Sequence, residues 1–271
     1  MTLIAEGPVL LELDDDGVGH LVLNRPEASN GMDIAFLQAL HGALMAAHAA
    51  PGLRALLVTG AGKNFCAGGD VKAFAAQGDQ LPGYLREATS WLQNCSQLLR
   101  QLGAPVVAGV HGFAAGGGGF GLVCAADLVV AAESASFLAG ATRVAMVPDF
   151  GTTALLPQLV GMRAAMHIVL TNPTLSAADA LELGIVNEVV PDDDLAARAH
   201  ELAATVAAGA PQANAEAKRL LWSGLATPID AQLADEARTV ARLGGTADAR
   251  EGLAAVIERR PPRFARQENQ Q

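Results

Sequence analysis

The chain is short of aromatic residues, of charge and of cysteine. Aromatics make up 4% of its 271 residues, so its core is built mainly of Ala, Leu and Val. Only 17% of residues are charged while 51% are hydrophobic, which excludes intrinsic disorder. Cys66, Cys95 and Cys124 are too widely spaced for a disulfide framework or a CxxC metal site, and read as buried thiols of a reducing cytoplasm. Positive charge is scarce too. The formal net charge is −10, a field that repels nucleic acid and anionic membrane. No Lys or Arg precedes the apolar stretch of Met1 to Leu13, as a signal peptide requires. The charge-free span from Gln101 to Ala126 contains Pro105 and eight glycines, so strand, loop and buried helix fit it better than a membrane helix.

What is present is an alternation of strands and helices. Val9 to Leu13 and His20 to Leu23 flank Asp14-Asp15-Asp16-Gly17 as a hairpin. Asp33 caps a helix with Leu37, Leu40 and Leu44 on one face, and Pro51-Gly52 ends it. Buried strands are expected at Ala55 to Thr59, Pro105 to Val110, Leu128 to Ala131 and Ile185 to Val190. Helices are expected over Tyr84 to Leu102, after the glycine run, over Thr152 to Leu170 and over Ala177 to Leu183, with Gly184 as a C-cap. After Pro191 the pattern is wholly helical, near 192–209, 211–226, 229–243 and 247–258. The fold class is α/β, divided as a core over 1–191 and a helical C-terminal region over 192–271.

Two glycine-rich segments carry the chemistry. Gly116-x-Gly118-x-x-Gly121 matches the dinucleotide fingerprint only formally: it is not in a tight first βα turn, and no acid stands at the right distance after it. Gly60-Ala61-Gly62-Lys63-Asn64 lacks the first Gly and the Ser/Thr of a P-loop. Both segments follow a buried strand and lead into a helix, where free backbone N–H groups attract negative charge. Two such amides converging on one point make an oxyanion hole, and glycine lets a carbonyl approach. Spacing alone leaves that reading even with tight helix–strand packing.

Several motifs shift the balance. Asn24-Arg25-Pro26-Glu27, Asn64 to Asp70, His111-Gly112-Phe113-Ala114-Ala115 with its glycines, Asp127-Leu128 and Ala132 to Phe137 resemble the crotonase (enoyl-CoA hydratase/isomerase) superfamily. Val147-Pro148-Asp149 and Leu183 to Val190 continue the likeness over nearly the whole chain. The resemblance implies a spiral of ββα units, a helical C-terminal oligomerisation region, homotrimers or dimers of trimers, and acyl-CoA substrates with no cofactor and no metal. One oxyanion donor is implied at Gly69. The other is at Gly118 counting back from Asp127, or Gly117 counting forward from Gly112, because one residue more than usual separates Gly112 from Asp127. Gly118 is preferred, since a helix register is harder to shift than a loop. The resemblance also places Arg25, Ala67, Lys72 and Phe264 at the coenzyme A.

The reaction depends on the acid/base group. Hydratases of the superfamily hold a water between two carboxylates, whose positions here are Gly121 (or Phe120) and Ala141. Neither moves a proton, so hydration is not expected. Asp149 stands at the start of a helix, where Asp commonly serves as an N-cap. Val147-Pro148-Asp149-Phe150-Gly151-Thr152-Thr153 is similar to the enoyl-CoA isomerase type of the phenylacetate pathway, and that likeness makes Asp149 a base. Asp149 with its apolar neighbours Met146, Val147 and Phe150 then suits the shift of a double bond from 3-enoyl-CoA to 2-enoyl-CoA. A related dehalogenase pattern fails, because Gln93 and Ala141 replace its His and Trp. Other enolate reactions stay open, among them ring-opening isomerisation, decarboxylation and thioester hydrolysis, as does a non-catalytic CoA-binding role. Asp127 and Glu133 read as structural, His111 as a packing or hydrogen-bonding residue, and Thr142 and Arg143 as neighbours of the acyl group. Arg259, Arg260, Arg263 and Arg266 cluster around Pro261-Pro262 and Phe264, and the resemblance implies that Phe264 and at least one of Arg263 and Arg266 contact CoA across a subunit interface, ring on adenine and guanidinium on phosphate.

Overall fold

A computed structural model describes residues 1–264. Its strands are β1 (Thr2–Ile4), β2 (Val9–Leu13), β3 (Val18–Leu23), β4 (Ala55–Gly60), β5 (Val106–Val110), β6 (Phe113–Ala115), β7 (Leu128–Ala132), β8 (Ser136–Leu138), β9 (Leu175–Ser176) and β10 (Glu188–Val190). Its α-helices are α1 (Ile34–Ala49), α2 (Val71–Ala75), α3 (Leu81–Gln101), α4 (Leu122–Ala125), α5 (Thr152–Val160), α6 (Met162–Thr171), α7 (Ala177–Glu182), α8 (Leu195–Ala207), α9 (Pro211–Gly224), α10 (Ile229–Gly244) and α11 (Ala247–Glu258).

Seven strands form one sheet in the order β1-β2-β3-β4-β5-β7-β10. The pairings β3–β4, β4–β5, β5–β7 and β7–β10 are parallel, and the β1–β2–β3 end is antiparallel. Parallel neighbours need crossovers that cover the faces, and β5 is accordingly buried at every residue. A second, smaller sheet runs β6-β8-β9. Single bridges between Cys66 and Ala114 and between Met32 and Gly69 extend it towards the preceding turns of the chain. Each turn therefore lays one strand in the large sheet and one extended segment in the small layer before a helix returns, which is the expected ββα spiral.

Local chemistry explains most boundaries. Oδ1 of Asp33 accepts the Phe36 amide at 2.8 Å and starts α1 as expected. Gly184 takes φ +74° just after α7 and ends it. Three expectations need correction. The helical stretch from Thr152 is two helices, broken at Gly161 with φ +78°. The strand expected over Ile185 to Val190 is only β10, because the Ile185 and Val186 amides turn back to the Ala180 carbonyl. The small sheet has no counterpart in the sequence reading, since strands of two or three residues are too short for period-2 alternation to show.

The C-terminal region is helical as expected, but its first helices belong to the core's packing. Leu195, Ala199, Ala203 and Ala207 of α8 are buried, and Ala199 lies against Gly109 of β5. Lys218 of α9 is buried beneath α3, donating to the Leu99 and Ala104 carbonyls and pairing with Asp127 at 2.8 Å. The 191 boundary thus ends the sheet without separating two bodies. All three cysteines are buried and free, with thiols pushed up to about 12 by burial. No helix among the described residues is long and apolar enough to cross a membrane.

Candidate active site

Two backbone segments form the floor of one cavity. After β4 the chain passes through Phe65 to Gly69 and enters α2, whose N-cap is Asp70 with Oδ1 accepting the Ala73 amide at 3.0 Å. After β6 it passes through the glycine run into α4. The segments are stitched by Cys66 N–H to the Phe113 carbonyl and Ala115 N–H to the Cys66 carbonyl, at 3.1 and 2.9 Å. On the other edge Met32 N–H donates to the Gly68 carbonyl and Asp70 N–H to the Met32 carbonyl. Those two bonds bracket Gly69, so its own amide points away from Met32 and towards the glycine run. A β-carbon on Gly116 would stand 3.9 Å from the Gly69 nitrogen.

Gly117–Gly121 form a single π-helical turn, whose i→i+5 bonding spans one residue more than the bonding of an α-helix. A helix that opens on such a turn does not fix the register between Gly118 and Asp127 by itself, so the choice between Gly117 and Gly118 falls to their contacts. Contacts divide the two glycines differently. A β-carbon on Gly118 would lie 3.2 Å from Gly68, beside the Gly69 peptide, whereas one on Gly117 would lie 1.3 Å from Oδ1 of Asp149.

The cavity holds about 790 Å³. Its walls are apolar, with Met32 and Leu37 near α1, Phe74 of α2, Leu85 and Leu92 of α3, and Met146 and Val147 before α5. Phe74 lies across Gly69, where a β-carbon would meet its ring at 2.5 Å. Asp149 is the one acidic residue lining the cavity among the described residues.

Asp149 is not the helix cap that its sequence position allows. Gly151 occupies the N-cap of α5, with no side-chain cap. It is the Asp149 backbone carbonyl that is used, accepting the Thr152 amide at 2.9 Å and the Thr152 hydroxyl at 2.7 Å. The carboxylate is left to the cavity. Burial is the main influence on it and raises its pKa above the usual 3.8, because an apolar surrounding disfavours the charged form. The backbone behind it is held in an unusual shape: Phe150 has φ +57°, and its carbonyl accepts the buried Ser96 hydroxyl at 2.8 Å. The sequence reading missed Ser96. Its signal was a polar residue on the apolar face of α3, one helical turn after Leu92.

At Gly121 and Phe120 a carboxylate is excluded by geometry as well as by residue type. A β-carbon on Gly121 would meet the Thr152 hydroxyl at 2.7 Å and the Phe150 β-carbon at 2.8 Å. Phe120 is fully buried and does not line the cavity; Ala141 does.

The other expected residues separate into groups. Ala67 and Arg143 line the cavity, but the Arg143 guanidinium is tied to the Asn172 carbonyl and the Thr142 hydroxyl to that of Val169. Lys72 is exposed on α2, between the cavity residues Val71 and Phe74. Arg25 is not in the lining. Its guanidinium holds Asp70 at 2.9 Å, Asp33 at 3.2 Å and the Gly31 carbonyl at 2.8 Å, which braces the loop and leaves little of it for a phosphate. Asp127 is structural: it accepts from the Val106 amide, Trp222 and Lys218. His111 meets the Gly62 carbonyl at 3.0 Å. Phe264 rests on Gly252 of α11, and Arg260 is paired with Glu251 and Glu258. Arg266 lies outside the described residues.

Comparison with known proteins shows the family. Residues 14–267 match the enoyl-CoA hydratase/isomerase family model. A Rhodobacter capsulatus protein named a probable enoyl-CoA hydratase is 41% identical over 250 residues, covering 92% of this chain and 95% of that one. The 1,2-epoxyphenylacetyl-CoA isomerase of Escherichia coli is 34% identical over 252 residues, covering 92% and 95%. The crystal structure of an enoyl-CoA hydratase from Bacillus anthracis superposes with a TM-score of 0.90 at 32% identity, covering 97% of this chain and all of that one.

Proposed function

The chain belongs to the enoyl-CoA hydratase/isomerase family and has its crotonase fold, and from that premise we propose that it is an isomerase, moving the double bond of a 3-enoyl-CoA to the 2-position. One observation carries the reading. Among the described residues the cavity offers a single carboxylate, Asp149, and no partner acid with which to hold a water.

In this reading the thioester carbonyl sits between the amides of Gly69 and Gly118. Asp149 takes a proton from C2, and the electron pair is delocalised through the carbonyl and the C3–C4 double bond as a dienolate. Two amide donors aimed at the developing oxyanion are worth roughly 3 kcal/mol each. The C2–C3 double bond forms as C4 takes the proton back from Asp149. The proton never leaves the site, so no water is consumed. A carboxyl whose pKa is raised by burial is the better proton carrier near neutrality. Gly117 serves by lacking a side chain where the carboxylate must stand. Coenzyme A contacts fall to Ala67 and Lys72, and to Phe264 with Arg263 reaching a neighbouring subunit. Exposed apolar residues on α9 to α11, among them Leu221, Leu253, Val256 and Ile257, support a homotrimer or a dimer of trimers.

The test is a panel of 3-enoyl, 2-enoyl and epoxide-bearing CoA thioesters, followed by the absorbance of the conjugated product. Conversion of 3-enoyl substrates with no hydration of 2-enoyl ones supports the reading. Efficient hydration refutes it. Selective conversion of the epoxide substrate would favour the epoxyacyl-CoA isomerase activity named for the Escherichia coli relative.

A further inference from the structure

Away from the cavity, three side chains converge that double-bond isomerisation does not use. Asp14 opens the turn between β2 and β3, His20 lies on β3, and His200 lies on α8, 186 residues beyond Asp14. Nε2 of His20 is 3.0 Å from Oδ2 of Asp14, and Nε2 of His200 is 3.4 Å from the same oxygen. The imidazoles are stacked, with centroids 5.3 Å apart and an interplanar angle of 18°. One donor atom from each of the three residues lies within 4.8 Å of the other two.

The carboxylate is aimed by its surroundings. Oδ1 accepts the amides of Asp16 and Val18, each at 2.9 Å, which leaves Oδ2 turned to the two rings. Fixing a ligand's orientation through its second atom is what outer-shell partners do in metal centres. A hydrogen-bonded tie between a turn and a helix needs one imidazole; here two rings direct their Nε2 atoms at one oxygen. In a tetrahedral centre with bonds of ~2.0–2.1 Å, neighbouring ligand atoms are about 3.3 Å apart. The 3.0 and 3.4 Å separations already match that spacing. Negative charge surrounds the group: Asp15 and Asp16 share the turn, and Glu12 stands opposite His20 in the β2–β3 register.

We propose that Asp14, His20 and His200 form a binding site for a divalent cation of the zinc class, with water or Glu12 in a fourth position. Two imidazoles and a carboxylate suit a borderline transition ion better than Mg²⁺ or Ca²⁺, which take oxygen donors. The ion would join the N-terminal hairpin to the helix that covers the sheet. Its effect is therefore on stability, and turnover at the distant cavity is unchanged.

The test uses the full chain, stripped with a chelator and then titrated with Zn²⁺ in equilibrium dialysis and thermal denaturation. The expected result is one zinc bound per chain in the micromolar range, with Tm raised by about 5 °C at a hundredfold excess over Kd. Co²⁺ in place of Zn²⁺ reports the same site by its visible absorption. His200→Gln, at a half-exposed position, and the double variant His20→Gln/His200→Gln are expected to weaken binding at least ~100-fold and abolish the Tm shift. Circular dichroism checks that they fold, and if the double variant does not, His200→Gln alone decides. Zinc uptake by the wild type no greater than that of His200→Gln, or a Tm shift that survives in it, would overturn the site. Turnover of 3-enoyl-CoA is read separately, so failure of either proposal leaves the other standing.

Discussion

A β-carbon on Gly117 would fall 1.3 Å from Oδ1 of Asp149, so the carboxylate occupies the space that a side chain at 117 would fill. Gly117→Ala is therefore expected to push Asp149 out of the cavity. Isomerase turnover should fall by at least ~100-fold, the scale of a lost general base, while the thermal midpoint changes little. Steady-state kinetics beside a melting curve checks this; wild-type turnover in the variant would remove Asp149 from the reaction.

Asp149→Asn tests the base directly and adds a stability signature. Turnover should drop ~100-fold or more. Burial raises the folded carboxyl's pKa above 3.8, so between those values the folded chain binds more protons than the unfolded one. Stability then declines as pH rises through that window. The Asn variant escapes this loss. It should be more stable than wild type at pH 7, and the gain should vanish below pH 3.8. Urea titrations at the two pH values decide it. In the wild type, kcat/KM should rise with pH through the raised pKa of Asp149.

Hydration should be absent or slight. Crotonyl-CoA is expected to bind but not to gain water at anything near ~10 per second, a typical enzymatic rate. Gly121→Glu should not restore it, because Thr152 and Phe150 fill the space such a side chain needs. Loss of enoyl absorbance on incubation is the measurement.

Removing Asp127 should cost stability without touching chemistry. Its carboxylate faces the buried Lys218 at 2.8 Å and accepts from Trp222 at 2.9 Å. Asp127→Ala leaves the ammonium buried without its counter-charge, which typically costs ~3–5 kcal/mol. Replacing both partners with apolar residues should recover much of that loss. Chemical denaturation of the single and double variants measures it.

Deleting residues 259–271 should raise KM for the CoA substrate at low salt and leave kcat alone. The increase should shrink at high salt, because screening weakens guanidinium–phosphate attraction in the full chain as well. Unchanged affinity for free CoA at low salt would mean that Phe264 and its arginines do not reach the ligand.

The sequence by itself determined the α/β alternation, most helix limits and the glycine-rich segments. These follow from periodicity, capping and the missing β-carbon, all local properties. Asp33 is legible as a cap because its partner amide is three residues away. Counting residues between Gly112 and Asp127 left Gly117 and Gly118 as alternative oxyanion donors. Only the tertiary structure shows that the run opens its helix as a π-turn. The tertiary structure likewise decided that Asp149 faces the cavity while Gly151 ends the loop, and that Arg25 is held by Asp33 and Asp70. Long-range contacts decide such assignments. Asp149 owes its raised pKa to burial at the cavity, and His200 meets Asp14 only because α8 folds back over the sheet.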